Sequence, residues 1–140
     1  MSNIPPDIYE RVRGFAVAIA NATEAGDDVL HDVHCRALRA YYDEQASRGC
    51  SHPFLTEAMA DFTEDVTDAV RLYELALEES QAFPDEPKHT KMISLAERLA
   101  ELGRTELAEA YLRDGRAEAV RRGDTHWIQD ADRLLQELAN

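Results

Sequence analysis

The 140-residue chain is predicted to be all-α, a stack of antiparallel helix hairpins closed by a capping helix. Three observations carry that prediction. Apolar residues recur at helical spacing between glycine and proline breaks, no segment alternates as a strand would, and one apolar pattern returns along the chain at a nearly constant interval. The breaks fall at Pro5-Pro6, Gly26, Gly49, Pro53, Pro84, Pro87, Gly103 and Gly123, and they divide the chain into seven helical segments.

Helix one is expected from about Asp7 to Glu24, with Ile8, Val12, Phe15, Ile19 and Ala22 on one face. Asp27 or Asp28 offers a cap for helix two, which ends before Gly49. Ser51 is the expected cap of helix three, with Pro53 tolerated in its first turn. Thr63 or its acidic neighbours open helix four, which should run to about Ala82 and stop before Pro84 and Pro87. Helix five covers about His89 to Leu102, helix six Thr105 to Arg122, and helix seven Asp124 to Leu138. The grouping is hairpins over 5–49, 51–82 and 89–122 and a capping helix over 124–138, all in one domain spanning 1–140.

The repeat is specific. In helices one, three and five an apolar triplet returns every 40 residues, as Phe15, Ile19, Ala22, then Leu55, Met59, Phe62, then Leu95, Leu99, Leu102. In helices two, four and six the interval is 39: Leu30, Ala69, Ala108; Val33, Leu72, Tyr111; His34, Tyr73, Leu112; Ala37, Ala76, Gly115. The difference falls in the turn within each hairpin, where a lost residue costs little, whereas a slip inside a helix would rotate its apolar face away from the core. Helix seven carries the same triplet as Trp127, Ala131 and Leu134 but has no partner helix after it, which marks it as a cap.

Charge narrows the function classes. Twenty-eight acidic against fifteen basic residues give a net charge near -13, which repels a phosphate backbone and excludes direct nucleic-acid binding as an expectation. The same surface favours a basic protein partner, or simply keeps the chain soluble. The longest mostly apolar run, Phe15 to Ala20, is far too short for a membrane span, and MSNIPPD lacks a signal pattern, so a cytoplasmic protein is expected. Two cysteines, Cys35 and Cys50, fit reduced thiols better than a disulfide framework.

Leu95, Leu99, Gly103, Ala108, Leu112 and Gly115, followed by Gly123-Asp124, resemble a tetratricopeptide repeat. That family sets small residues where the two helices of a pair cross, a role that falls here on Ala108 and Gly115 and, one copy earlier, on Ala69 and Ala76. The resemblance is good over residues 52–138 and poor over 1–50, where only Ala37 is small, and the family's period is nearer 34 than 39 or 40. It implies a right-handed superhelical stack and protein or peptide binding, with no chemistry of its own.

Catalytic motifs are absent: there is no phosphate-cradling glycine loop, no nucleophile elbow and no His-Glu-x-x-His, so neither an enzyme nor a cofactor is expected. His31, His34 and Cys35 share a helix region and are the only metal candidates, but two ligands on one face do not make a site, and His34 occupies a packing position of the repeat. Arg113, Arg116, Arg121 and Arg122 suit the negative end of helix six. Trp127, the single tryptophan, reads as core of the cap or as an anchor for a partner.

Carried over residue by residue, the resemblance implies a concave partner-binding face at Arg13, Ala16, Ala20, Phe54, Ala58, Asp61, Ile93, Glu97, Glu101 and Trp127. The leading expectation is a non-enzymatic interaction module that takes a basic protein or peptide on that face. An immunity- or antitoxin-type inhibitor of a basic toxin is the alternative, and a metal- or thiol-based sensor a third. Self-association into a homodimer through an open end of the stack is a further expectation.

Overall fold

The computed structural model describes residues 4–140, which form seven α-helices and no strand: α1 (Pro6–Glu24), α2 (Asp28–Ser47), α3 (Pro53–Asp61), α4 (Val66–Glu79), α5 (His89–Glu101), α6 (Thr105–Arg122) and α7 (Thr125–Ala139). No helix among these residues is long and apolar enough to cross a membrane.

Most boundaries follow from local chemistry. Asp27 caps α2 by accepting the Leu30 amide at 3.0 Å, and Asp65 caps α4 by accepting the Asp68 amide at 2.9 Å. Gly123 ends α6 at φ +68°, a left-handed conformation that a side chain at this position would resist. Two boundaries differ from expectation. The cap of α3 is His52 rather than Ser51: Pro53 takes the first helical position, so the residue just before it must cap, and the His52 ring Nδ1 accepts the Phe54 amide at 3.1 Å. Helix α4 stops at Glu79 rather than Ala82, and Ser80–Ala82 tighten into a 3₁₀ turn in which the Ser80 hydroxyl donates to the Ala76 carbonyl at 2.7 Å. Phe83, the residue before Pro84, has already left the helical region at φ -132°, ψ 78°.

Each hairpin packs within itself, and named contacts order the odd-numbered helices. Tyr9 near the start of α1 stacks on Phe54 near the start of α3. Lys91 near the start of α5 reaches Glu57 on α3, and Arg98 further along α5 donates to the Thr63 carbonyl just beyond the end of α3. His89 at the start of α5 meets Trp127 at the start of α7, whereas Glu97 meets Arg133 further along both helices. These contacts make α3, α5 and α7 parallel neighbours in chain order and set the start of α1 on the start of α3. One buried cluster, from Ile8 and Val12 through Leu55, Met59, Leu95 and Leu99 to Ala131 and Leu134, joins all of them.

The repeat positions behave alike in copies two and three and differently in copy one. Ala69, Tyr73 and Ala76, like Ala108, Leu112 and Gly115, are buried where the helices of a hairpin cross. At Gly115 the approach is close, since an added Cβ would lie 2.9 Å from Ile93 Cγ1 and 3.2 Å from Met92 Cβ. In α2 the matching Leu30 and Val33 remain 43% and 47% exposed, and burial falls instead on Leu38, Tyr41, Tyr42 and Gln45. The reason is geometric. Helix α2 seats His31, His34, Cys35 and Leu38 on its inner side, with Cys35 against the core and Tyr41 packed on Phe15 under the Arg11 guanidinium, so Leu30 and Val33 fall outside that stripe.

Candidate functional site

The residues implied as a partner face do not gather in one place. Glu97 and Glu101, on α5, line a cleft of about 550 Å³ with Arg98, Ala100 and, from α7, Leu134 and Glu137. Helical spacing explains the pair: four residues apart, Glu97 and Glu101 project from the same side of α5. Arg98 is tied down by Glu101 at 3.1 Å and by the Thr63 carbonyl, and Arg133 lies within 4 Å of Glu97, Asp130 and Glu137. Four carboxylates therefore surround two guanidinium groups that are already engaged, and the cleft keeps an acidic excess. Leu134 and Ala100 supply the apolar part of its lining.

The other members of the set lie elsewhere. Arg13 and Ala20 are exposed and Ala16 half-buried on α1, away from this cleft, and Phe54 is occupied by Tyr9. Trp127 is half-buried against the core with its ring edge-on to His89, at the far end of α5 from Glu101. Two positions need correction: Ile93 is wholly buried under Gly115, and Ala58 is buried in the core on α3, so neither offers surface to a partner. Asp61 accepts the Tyr73 hydroxyl at 2.5 Å. The residue as a whole stays open to solvent, but its carboxyl is turned in against Tyr73. Desolvation lifts that carboxyl to about 7 and the charge of Glu57 adds to the rise, against the Tyr73 bond and the charges of Lys91 and Arg98.

Three polar arrangements escaped the sequence reading. The first is Lys91, with no exposed surface, whose ammonium donates to Glu57 at 2.9 Å, Glu86 at 3.2 Å and the Pro87 carbonyl at 2.8 Å. Glu57 also accepts the Thr90 hydroxyl at 2.7 Å, so one carboxylate pins α3 to the first turn of α5. The second is His89, whose Nδ1 faces Glu118 at 3.1 Å and whose Nε2 faces Asp124 at 2.8 Å. Burial alone would raise Glu118, but hydrogen bonds from His89 and from the Lys88 and His89 amides, together with the charge of Arg122, hold it below its ordinary value. The His89 bond likewise lowers Asp124, the cap of α7. The third is His52, buried against Phe83 with its Nε2 unpartnered; burial pushes the ring down, in keeping with a neutral imidazole that accepts at Nδ1. The only hint of these in the sequence is that the linker and the start of α5 carry Glu86, Lys88, His89 and Lys91 in six residues.

Of the metal candidates, His31 and Cys35 approach to 3.9 Å and line a cleft with Asp32, Arg36, Phe62 and Glu64, whereas His34 does not join them. Burial, Asp32 and Glu64 all raise the Cys35 thiol, which disfavours the thiolate that a metal or an oxidant would meet. Among the described residues no three His, Cys, Asp or Glu side chains are grouped to hold a metal ion. Cys50 lies apart, exposed at the start of the turn before α3. No family model matches the chain, and neither the curated proteins nor the solved structures contain a significant match to it.

Proposed function

We propose that the protein is a non-enzymatic, tetratricopeptide-like interaction module that binds a basic, amphipathic segment of another protein in the cleft between α5 and α7. The observation that carries this reading is the cleft itself, in which Glu97, Glu101 and Glu137 outnumber the one lining guanidinium, Arg98, beside the apolar Leu134 and Ala100. An amphipathic helix or extended strand with basic residues on one side would set its apolar side chains against Leu134 and Ala100 and its cations against the carboxylates. A cleft this open suits a peptide segment better than a small molecule, which needs deeper enclosure.

The test is selection from a displayed library of basic amphipathic peptides, followed by titration of the enriched sequences. The expected result is affinity that falls at least tenfold, roughly the effect of 1.4 kcal/mol, in the Glu97→Lys/Glu101→Lys/Glu137→Lys variant and weakens with salt. A library that yields no binder, or binders that the triple variant holds equally well, overturns it.

A further inference from the structure

The outer face of α2 is an unpartnered helix surface with a definite pattern. Val29, Val33 and Ala40 run along it opposite the buried Leu38, Tyr42 and Gln45, with Leu30 and Ala37 on one flank. Val29 is 74% exposed, the most open of the large apolar side chains among the described residues, and Leu30 and Val33 are close to half exposed. The repeat sharpens the anomaly, because the positions matching Leu30, Val33 and Ala37 are buried in α4 and α6 apart from Tyr111, which is half-buried. Along the other flank the exposed charges run Asp28, Asp32, Arg36, Arg39 and Asp43, acidic then basic over the stripe itself, with Asp32 3.6 Å from His31 and Arg39 3.6 Å from Asp43 just beyond the stripe.

From this pattern we infer that the protein forms a two-fold homodimer through antiparallel packing of α2 against α2 of a second copy. The charge order selects both occupant and direction. A two-fold axis crossing the helix pair near the level of His34 sets Asp32 against Arg36 of the second copy and Asp28 beside its Arg39, and symmetry repeats both pairings on the other side of the axis. A two-fold that ran the helices parallel would instead set residues of the same number at one level, Asp28 near Asp28 and Arg36 near Arg36, and would lose the complementarity. In the same register Val29 lies within one residue of the level of Ala40 of the second copy, and Val33 lies about 3 Å along the axis from both Val33 and Ala37 of that copy, so apolar flank meets apolar flank.

The stripe from Val29 to Ala40 covers about 16 Å of helix at 1.5 Å per residue, which places the contact at the small end of specific interfaces. Association is therefore weak and concentration-dependent. The inference is independent of the cleft between α5 and α7, which shares no residue with this face.

Sedimentation velocity of the full chain from micromolar to millimolar concentration tests it. A reversible monomer–dimer equilibrium is expected. Val29→Asp/Val33→Asp should leave the protein monomeric over that range with its far-UV helical signal unchanged, since both side chains are exposed. Asp32→Arg should weaken the dimer at least tenfold, and Asp32→Arg/Arg36→Asp should restore it, because the swapped pair is complementary across the two-fold again. A protein that stays monomeric to millimolar concentration overturns the inference. So does a dimer indifferent to the Val29/Val33 variant, or a double charge swap that fails to recover association.

Discussion

Glu118, on α6, caps a helix that begins 29 residues earlier in the chain: its Oε2 accepts the His89 amide at 3.1 Å, the Lys88 amide at 2.8 Å and the His89 ring Nδ1 at 3.1 Å. Lys88 supplies no side-chain cap to α5, so these first amides depend on a carboxylate from the next helix. The ring then passes the connection on, because Nε2 donates to Asp124, whose other oxygen caps α7. Both ring nitrogens face carboxylates, so the one ring joins the caps of two helices.

Removing this node should loosen α7 before the rest of the protein. His89→Ala withdraws the donor from Asp124 and Glu118 and removes the ring that Trp127 packs on, at an expected cost of about 2–4 kcal/mol. Trp127 is the only tryptophan, so its fluorescence reports on this junction alone. The expected result is a red-shifted emission at denaturant concentrations where far-UV helicity is still native. Emission and helicity lost together would argue against a separable junction.

Gly115 should not tolerate even one methyl. Gly115→Ala gains up to about 1 kcal/mol of helix propensity, yet its Cβ would collide with Ile93, which is wholly enclosed and cannot swing away. Overpacking of this kind costs about 1–3 kcal/mol, so net destabilisation is expected in urea melts, and Ile93→Val in the same chain should recover part of it. Greater stability in Gly115→Ala would show that the α5–α6 crossing has slack.

Lys91 holds two carboxylates at the entrance to α5, and its loss should cost more than its presence contributes. Lys91→Met takes the cation from Glu57 and Glu86 in a buried setting, for which about 3–5 kcal/mol of destabilisation is expected. Lys91→Met/Glu57→Gln/Glu86→Gln removes the charges together and should regain most of that loss in thermal melts. A triple variant as unstable as the single one would mean that geometry rather than charge sets the cost.

Stability should respond to pH in two windows of opposite sign. Asp61 is raised from 3.8 to about 7, so the folded state holds its proton longer than the unfolded chain, and this group's contribution falls as pH rises from about 4 to about 7. Asp124 and Glu118 are lowered, so their contribution is present above their ordinary values and is lost as pH drops through the folded ones, below about 4. Thermal midpoints across pH should therefore change more gently between about 4 and 7 in Asp61→Asn, and below about 4 in Asp124→Asn. Wild-type slopes in Asp61→Asn would remove Asp61 as the source of the first window.

The sequence by itself determined the seven helices, their order and most of their ends, because capping aspartates, glycines and prolines act within a few residues of where they sit. It also determined the small residues at the crossings of the second and third hairpins, since a 39-residue interval fixes which face of each helix turns inward. Half of the cleft between α5 and α7 was legible as well, in Glu97 and Glu101, whose spacing places them on one side of a helix. Only the tertiary structure decided which surface remains open. Whether Ile93 lines a groove or lies under Gly115, and whether Val33 is covered as Leu72 is, depends on how far one helix slides along another, and local propensity carries no trace of that displacement. The polar network at the start of α5 belongs to the same class: Glu118, His89 and Asp124 are 29 and 35 residues apart, and only close packing makes burying them together favourable.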